Sequence, residues 1–335
     1  MLIMKKHFTQ LFAFFILLVP SVCCYGQDGF PDVFLTTGAG SDWSDPASWA
    51  SQDNVDDGIN PGSDGIPDGD DEVYILHNIT VSSNQEFGYL EVNNDAGLSS
   101  PTFLSLIVNA GDTLTGIETS STGNFSVFSS NFSNRYARAF INGVLTAKNV
   151  SITSGGSGGR AWLRPQNGGE VHVDGDITFS ASTPGNSLLN TSVSTGPGNK
   201  VYVSGSISGT GRIVSGSADR STFIFNGNST QVIPLNTSID AEFGSIEISN
   251  TVNVTTDTSF NASNLLGYFT VASGGKFTQG EYKHLFSDTV ANAGDYVFQD
   301  SIDFESSFTN TGTFTSSGGR INIAGDWTNS GTYTY

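Results

Sequence analysis

From Asp53 to Asp71 the chain reads Asp-Asn-Val-Asp-Asp-Gly-Ile-Asn-Pro-Gly-Ser-Asp-Gly-Ile-Pro-Asp-Gly-Asp-Asp. Carboxylate and amide oxygens are the hard ligands that Ca²⁺ gathers, about six to eight at a time, and glycine allows the sharp turns between them. Asp53, Asp57, Asn60, Asp64, Asp68 and Asp71 are the candidate ligands, and calcium is the candidate cofactor. Without a cation, so many neighbouring carboxylates repel one another. A solvated acidic loop is the plainer alternative. Histidine offers less chemistry. His77, His172 and His284 stand in no zinc or triad spacing. His172 alternates with Val171 and Val173, which points it outward from a strand, near Asp174 and Asp176. Acids at Gly-Asp corners serve turns more often than they serve as catalytic pairs. No catalytic residue is therefore assigned, and a non-enzymatic protein is expected. The alternative is a carbohydrate-active enzyme, a polysaccharide lyase or glycosidase, with acids on one face.

The elements that must position these groups are strands. Val73-Tyr74-Ile75-Leu76, Leu104-Ser105-Leu106-Ile107-Val108, Val201-Tyr202-Val203 and Phe223-Ile224-Phe225 are short, rich in β-branched or aromatic residues, and bounded by Gly, Asn, Asp or Ser. Such runs read as strands, and the class as all-β. Charged residues make up 13% of the chain, about half the usual share. The surface is thus built from Ser, Thr, Asn and Gly, a poor composition for long helices. With 13 Lys+Arg against 32 Asp+Glu, the net charge is −19, which argues against a nucleic-acid partner.

Lys5 and Lys6 precede the apolar run Leu11 to Val19, and a small-residue stretch leads to Gly26. This is the pattern of a secretory signal peptide, assigned to residues 1–26, with Gln27 as the new terminus. The run is shorter than the roughly 20 apolar residues of a membrane span, and no later stretch is long enough. Cys23 and Cys24 are the only cysteines. The exported chain then has neither disulfide nor thiolate site, which points to a bacterial source. A lipoprotein anchor at Cys24 is a minor alternative. The expected location is secreted or cell surface.

Several strands echo one another. Val171 to Ile177 aligns with Val201 to Ile207 and with Ile321 to Trp327, placing Gly175, Gly205 and Gly325 together; Gly143 sits in a looser copy. Phe308 to Phe314 and Trp327 to Tyr333 both read aromatic-Thr-Asn-x-Gly-Thr-aromatic. Repetition at this range of periods predicts a right-handed parallel β-helix, a solenoid in which stacked coils bury a shared interior. Tandem β-sandwiches are the alternative, since they use the same strand composition. Residues 27–70 are read as an N-terminal cap carrying the acidic loop, and residues 71–335 as the solenoid. Trp43 and Trp49 plug the first coil, with sugar stacking as their other use. The sequence stops at Tyr335 directly after the strand-like Gly331-Thr332-Tyr333-Thr334. An open solenoid end exposes unpaired edges, so covalent continuation into further domains is expected.

The order Gly38-Ala39-Gly40-Ser41-Asp42-Trp43 to Trp49, Ile66-Pro67-Asp68-Gly69-Asp70-Asp71-Glu72-Val73, Ile79-Thr80-Val81 and Ala110-Gly111-Asp112 resembles the start of large secreted, adhesin-like surface proteins of Bacteroidota-type bacteria. It also looks like the Gly- and Trp-marked G8 domain. Phe223 to Ile233 and Ile323 to Thr332 are similar to the body repeats of those bacterial proteins. The resemblance implies export, surface display or release, and a β-solenoid body; it carries no catalytic residue. The acidic run between Trp49 and Pro67 departs from it. Within that run, Asn60, Asp64, Gly65, Asp68 and Asp71 resemble a thrombospondin type 3 repeat, with Gly62 where a ligand is expected. Asp53, Asp57 and Gly58 match part of an EF-hand loop, in which Val55 takes an acid's place. The functional expectation is an extracellular stalk or adhesion module that contacts glycans or other surfaces. A pure spacer for downstream domains is a further alternative.

Overall fold

The computed structural model describes residues 33–51, 65–69, 71–94, 103–117, 123–130, 135–156, 158–192, 198–215, 221–236, 238–261 and 263–335. Among them, short strands and corners make up the chain, with only brief 3₁₀ turns besides. Tyr89–Asn94, Phe103–Val108 and Tyr136–Ile141 each bury every second residue, as a strand with one face on a core must.

Each strand pairs with the strand one coil away. The first sheet stacks Glu72–Ile75, Tyr89–Asn94, Asn124–Ser129, Val150–Ser154, Ile177–Ser180 and Ile207–Gly209. The second stacks Ile79–Val81, Phe103–Val108, Tyr136–Ile141, Arg160–Pro165, Ser187–Asn190, Gly211–Val214 and Ile239–Ala241. The third is the longest, from Gln85–Phe87 to Trp327–Asn329. The chain visits the three in turn, and the pairing within each stack is parallel. This is the stacked-coil arrangement of a β-solenoid. Tandem sandwiches would alternate strand direction. Among the described strands the antiparallel pair is Val33–Thr36 with Trp49–Ser51, which closes the first sheet's outer edge. Beneath it Trp43 and Trp49 are buried, edge to face at 5.0 Å, and the Trp49 indole donates to the Trp43 carbonyl at 2.7 Å.

Coil length is not constant. Glu170 pairs with Lys200, 30 residues on, whereas Asn310 pairs with Asn329, 19 residues on. The aromatic-Thr-Asn-x-Gly-Thr-aromatic echo is therefore one full coil: Phe308 pairs with Trp327 and Phe314 with Tyr333. The aligned glycines do not share one corner of the coil. Gly175 and Gly205 follow strands of the third sheet, but Gly143 and Gly325 precede them. The Ile321 echo is displaced by one face, because every corner of a coil has the same need for small residues. At Gly312 and Gly331 that need is steric, since an added Cβ would strike the backbone of the coil below.

The cross-section changes hands partway along. The first sheet ends at Ile207–Gly209, and a fourth, from Gln231–Ile233 to Thr332–Thr334, takes its place in the visiting order. A fifth, of His284–Phe286, Ile302–Phe304 and Ile321–Ile323, follows the second in the same way. Polar side chains bridge the breaks, Gln231 buried and Asn264 half-buried. The Gln231 amide donates to the carbonyls of Val203 and Gly205, both at 2.8 Å. The Asn264 amide donates to the Ala241 carbonyl at 3.1 Å.

The interior changes as well. Leu106, Ala139, Leu163, Leu189 and Ile213 form one aliphatic row. Further on, Phe277, Tyr296 and Phe314 follow one another in a row, with Phe269 against the first two. Asn292, Asn310 and Asn329 form an amide ladder: each Nδ2 donates to the next Oδ1, at 2.7 and 2.8 Å. Asn310 is fully buried, so losing its amide strands its neighbours' polar groups. Asn310→Ala should lower unfolding stability by about 2 kcal/mol. Tyr296 is the opposite case. Its hydroxyl is buried without a hydrogen-bond partner, and burial pushes its pKa well up. Tyr296→Phe should raise stability by about 1 kcal/mol. Urea denaturation of both variants checks the two signs.

Candidate functional site

On the second sheet, Leu104, Leu106, Ala137, Ala139, Ala161 and Leu163 point inward and are fully buried. The alternation sends their neighbours outward. Register sets Phe103 beside Tyr136 beside Arg160, Ser105 beside Arg138 beside Trp162, and Ile107 beside Phe140 beside Arg164. Three adjacent coils thus present aromatic rings and arginines on one face. Phe103 and Tyr136 stack at 4.9 Å between centroids, and Trp162 meets Tyr136 edge-on at 5.7 Å. The Arg138 guanidinium lies among the rings, 4.3 Å from Phe103, 5.3 Å from Trp162 and 5.4 Å from Tyr136. Arg160 lies 5.5 Å from Tyr136. Each such cation–π contact is worth about 0.5–1 kcal/mol at an exposed site, so the array orders itself.

Its electrostatics are unusual for so acidic a chain. The described ion pairs join Glu170 to His172 and Lys200, Arg212 to Asp240, and Lys283 to Asp303. Arg138, Arg160 and Arg164 take part in none of them. Nε of Arg138, Nε of Arg164 and Nε1 of Trp162 are buried donors without an acceptor. Burial pulls the Arg138 pKa below its usual value; the Tyr136 hydroxyl opposes this and the Arg164 charge adds to it. Chemically, the face offers flat apolar surface beside cations with open hydrogen-bonding capacity.

No single contiguous motif in the sequence marks this face. The signal was present in Tyr136-Ala137-Arg138-Ala139-Phe140 and Arg160-Ala161-Trp162-Leu163-Arg164. Both alternate small or aliphatic residues with arginines and aromatics, in a chain with few cations. Of the six candidate calcium ligands, Asp53, Asp57, Asn60 and Asp64 lie outside the described residues. Asp71 is buried, and its carboxylate accepts from the Asp68 backbone N–H at 2.7 Å. Among the described residues, no group of three or more His, Cys, Asp or Glu is placed to hold a metal.

The histidines fall in separate places. The His77 ring lies 2.8 Å from the Thr36 carbonyl. His172 faces outward, stacks on Tyr202 at 4.1 Å and meets Glu170 at 3.0 Å. Burial raises the Glu170 carboxyl, but hydrogen bonds from His172 and Lys200 outweigh it and hold the pKa below the ordinary value. That is the reverse of what a general acid needs. His284 is fully buried; its Nδ1 accepts from the Phe260 N–H at 3.0 Å, and Nε2 lies 3.3 Å from the Gln279 carbonyl. Burial lowers its pKa from 6.5 to about 4.

Fold and face together define a parallel β-solenoid with an aromatic and arginine surface across three coils. No family model, curated protein or solved structure matches the chain, so the functional reading rests on this geometry and on the sequence.

His284 yields a test of the core. Between pH 6.5 and about 4 the unfolded chain binds a proton that the folded chain refuses. Stability from a neutral His284 is therefore complete above pH 6.5, falls with acidification, and is gone below about pH 4. The loss amounts to about 3 kcal/mol. Denaturation of the wild-type chain and of His284→Gln across this range should show a steeper acid loss in the wild type.

Proposed function

We propose that this chain is an exported, non-enzymatic β-solenoid that acts as an extracellular stalk or adhesion module and holds glycans on the outer face of its second sheet. The observation that carries this reading is the set of three aromatic rings, Phe103, Tyr136 and Trp162, spread across adjacent coils beside arginines without a carboxylate. Aromatic faces pack against the C–H faces of sugar rings while neighbouring donors meet hydroxyls. A repeating surface meets a repeating polymer at several points, so weak contacts add through multivalency. The basic and apolar leader and the resemblance to Bacteroidota-type surface proteins support display outside the cell.

A glycan array probed with the chain checks this reading. Retention of polysaccharides is expected, with Trp162→Ala and Tyr136→Ala each weakening it about tenfold while the circular dichroism spectrum stays unchanged. Absence of retention, or retention indifferent to both variants, overturns the assignment.

A carbohydrate-active enzyme is the second reading. Glu170, His172, Lys200 and Tyr202, gathered on the third sheet, favour it. Release of reducing ends or unsaturated products from a bound glycan, abolished by Glu170→Gln, is its signature. Calcium binding by the 53–71 loop belongs to the same proposal. Calcium should raise the melting temperature and protect the loop from protease, and indifference to both calcium and chelator removes the idea.

A further inference from the structure

The charge on the second sheet says more about the ligand than its rings do. In a chain with 32 acids and 13 bases, carboxylates are plentiful enough to neutralise every cation. Among the described cations they do so at Lys200, which meets Glu170 at 3.1 Å, at Arg212, which meets Asp240 at 2.9 Å, and at Lys283, which meets Asp303, while Lys276 and Arg320 stand singly outside these pairs. Arg138, Arg160 and Arg164 instead sit on two neighbouring strands without an acid, close enough for the Arg164 charge to act on Arg138. Clustering like charges costs free energy unless an anion joins them. The buried Nε donors of Arg138 and Arg164 and the Trp162 indole N–H lack acceptors. A planar guanidinium with open donors is the group that meets carboxylate or sulfate side-on.

We infer that the outer face of the second sheet binds a linear acidic polysaccharide, its carboxylate or sulfate groups on Arg138, Arg160 and Arg164 and its sugar rings on Phe103, Tyr136 and Trp162. This deepens the glycan-binding reading and rests on it. The polymer crosses the strands and runs along the coil stack. Neighbouring strands lie about 4.8 Å apart, close to the length of one sugar along a glycan, so successive sugars meet successive coils. The site has a far boundary. In the row of Arg138 and Trp162 the next outward residue is Leu188, followed by Arg212, which Asp240 on the adjoining strand already neutralises. A nucleic acid fits less well. Three cations do not match its charge density, and the remaining acids of the chain repel it, whereas a glycan with spaced anions needs only local contacts within the screening length.

The test measures retention of size-matched polygalacturonate and alginate (carboxylate only), carrageenan (sulfate only), neutral dextran and galactan, and double-stranded DNA. The proteins are the wild-type chain, Arg138→Gln, the double variant Arg138→Gln/Arg164→Gln, and Trp162→Ala. All changed positions face outward, and circular dichroism confirms that each variant is folded. The expected result is retention of acidic over neutral glycans by about tenfold or more. Arg138→Gln should reduce it about tenfold, and raising salt from about 0.05 to 0.5 M should weaken it several-fold. Uronate and sulfate probes tell the two anion types apart, and preference for either supports the inference. Equal retention of neutral and acidic glycans, insensitive to the arginine variants but lost in Trp162→Ala, overturns the anionic assignment while leaving glycan binding intact. Retention of DNA as strong as that of the acidic glycans overturns it in favour of a plain polyanion surface. No retention of any glycan overturns both readings.

Discussion

Parallel pairing between one coil and the next is the constraint on which everything else rests. Each backbone N–H and C=O of a strand is satisfied by the coil above or below, and a strand in water without such partners has no standing of its own. Because the pairing is in register, a residue type repeated once per coil becomes a row. Inside, rows of leucine, isoleucine and phenylalanine close the core. Where a row is polar, as at Asn292, Asn310 and Asn329, the side chains bond to their own copies along the stack. Outside, the same rule lines up Phe103, Tyr136 and Arg160 on one face. The fold therefore turns a short local pattern into an extended surface.

Much of the architecture is legible in the residues. Alternation in Val171-His172-Val173 or Leu104-Ser105-Leu106 marks both the strand and the side that is buried. The Phe308 and Trp327 echo gives a true coil length, because aromatic, asparagine and glycine positions all have to match at once. The glycines alone mislead. Gly143 and Gly325 enter the third sheet while Gly175 and Gly205 leave it, and a corner glycine looks the same at either place. A solenoid of changing coil length defeats a search for one period, even though each pair of neighbours is in register.

The aromatic and arginine face was hidden for a related reason. Arg138 and Trp162 are neighbours only through the pairing of Tyr136–Ile141 with Arg160–Pro165, and no spacing within either strand announces it. The acidic run was conspicuous because its chemistry is contiguous in sequence. Contiguous motifs favour loops, whereas a solenoid assembles its surfaces across coils. Arginine and aromatic residues opposite inward-facing alanines, as in both strands here, are the feature to look for.

At the handover between the first and fourth sheets, two strand pairings span the coil boundary, Asn199–Val203 with Ser221–Phe225 and Gly211–Val214 with Ile239–Ala241, and the Gln231 side chain bridges the remaining corner. The pairing bonds point along the stack, so tension applied from end to end loads all pairings of a boundary together. A boundary with two ladders and one amide clasp yields before a boundary with three. Under load this protein would part first in the stretch that holds both handovers, from Gln231 to Asn264, as a rope parts at its thinnest lay, and each piece would keep its own wound core.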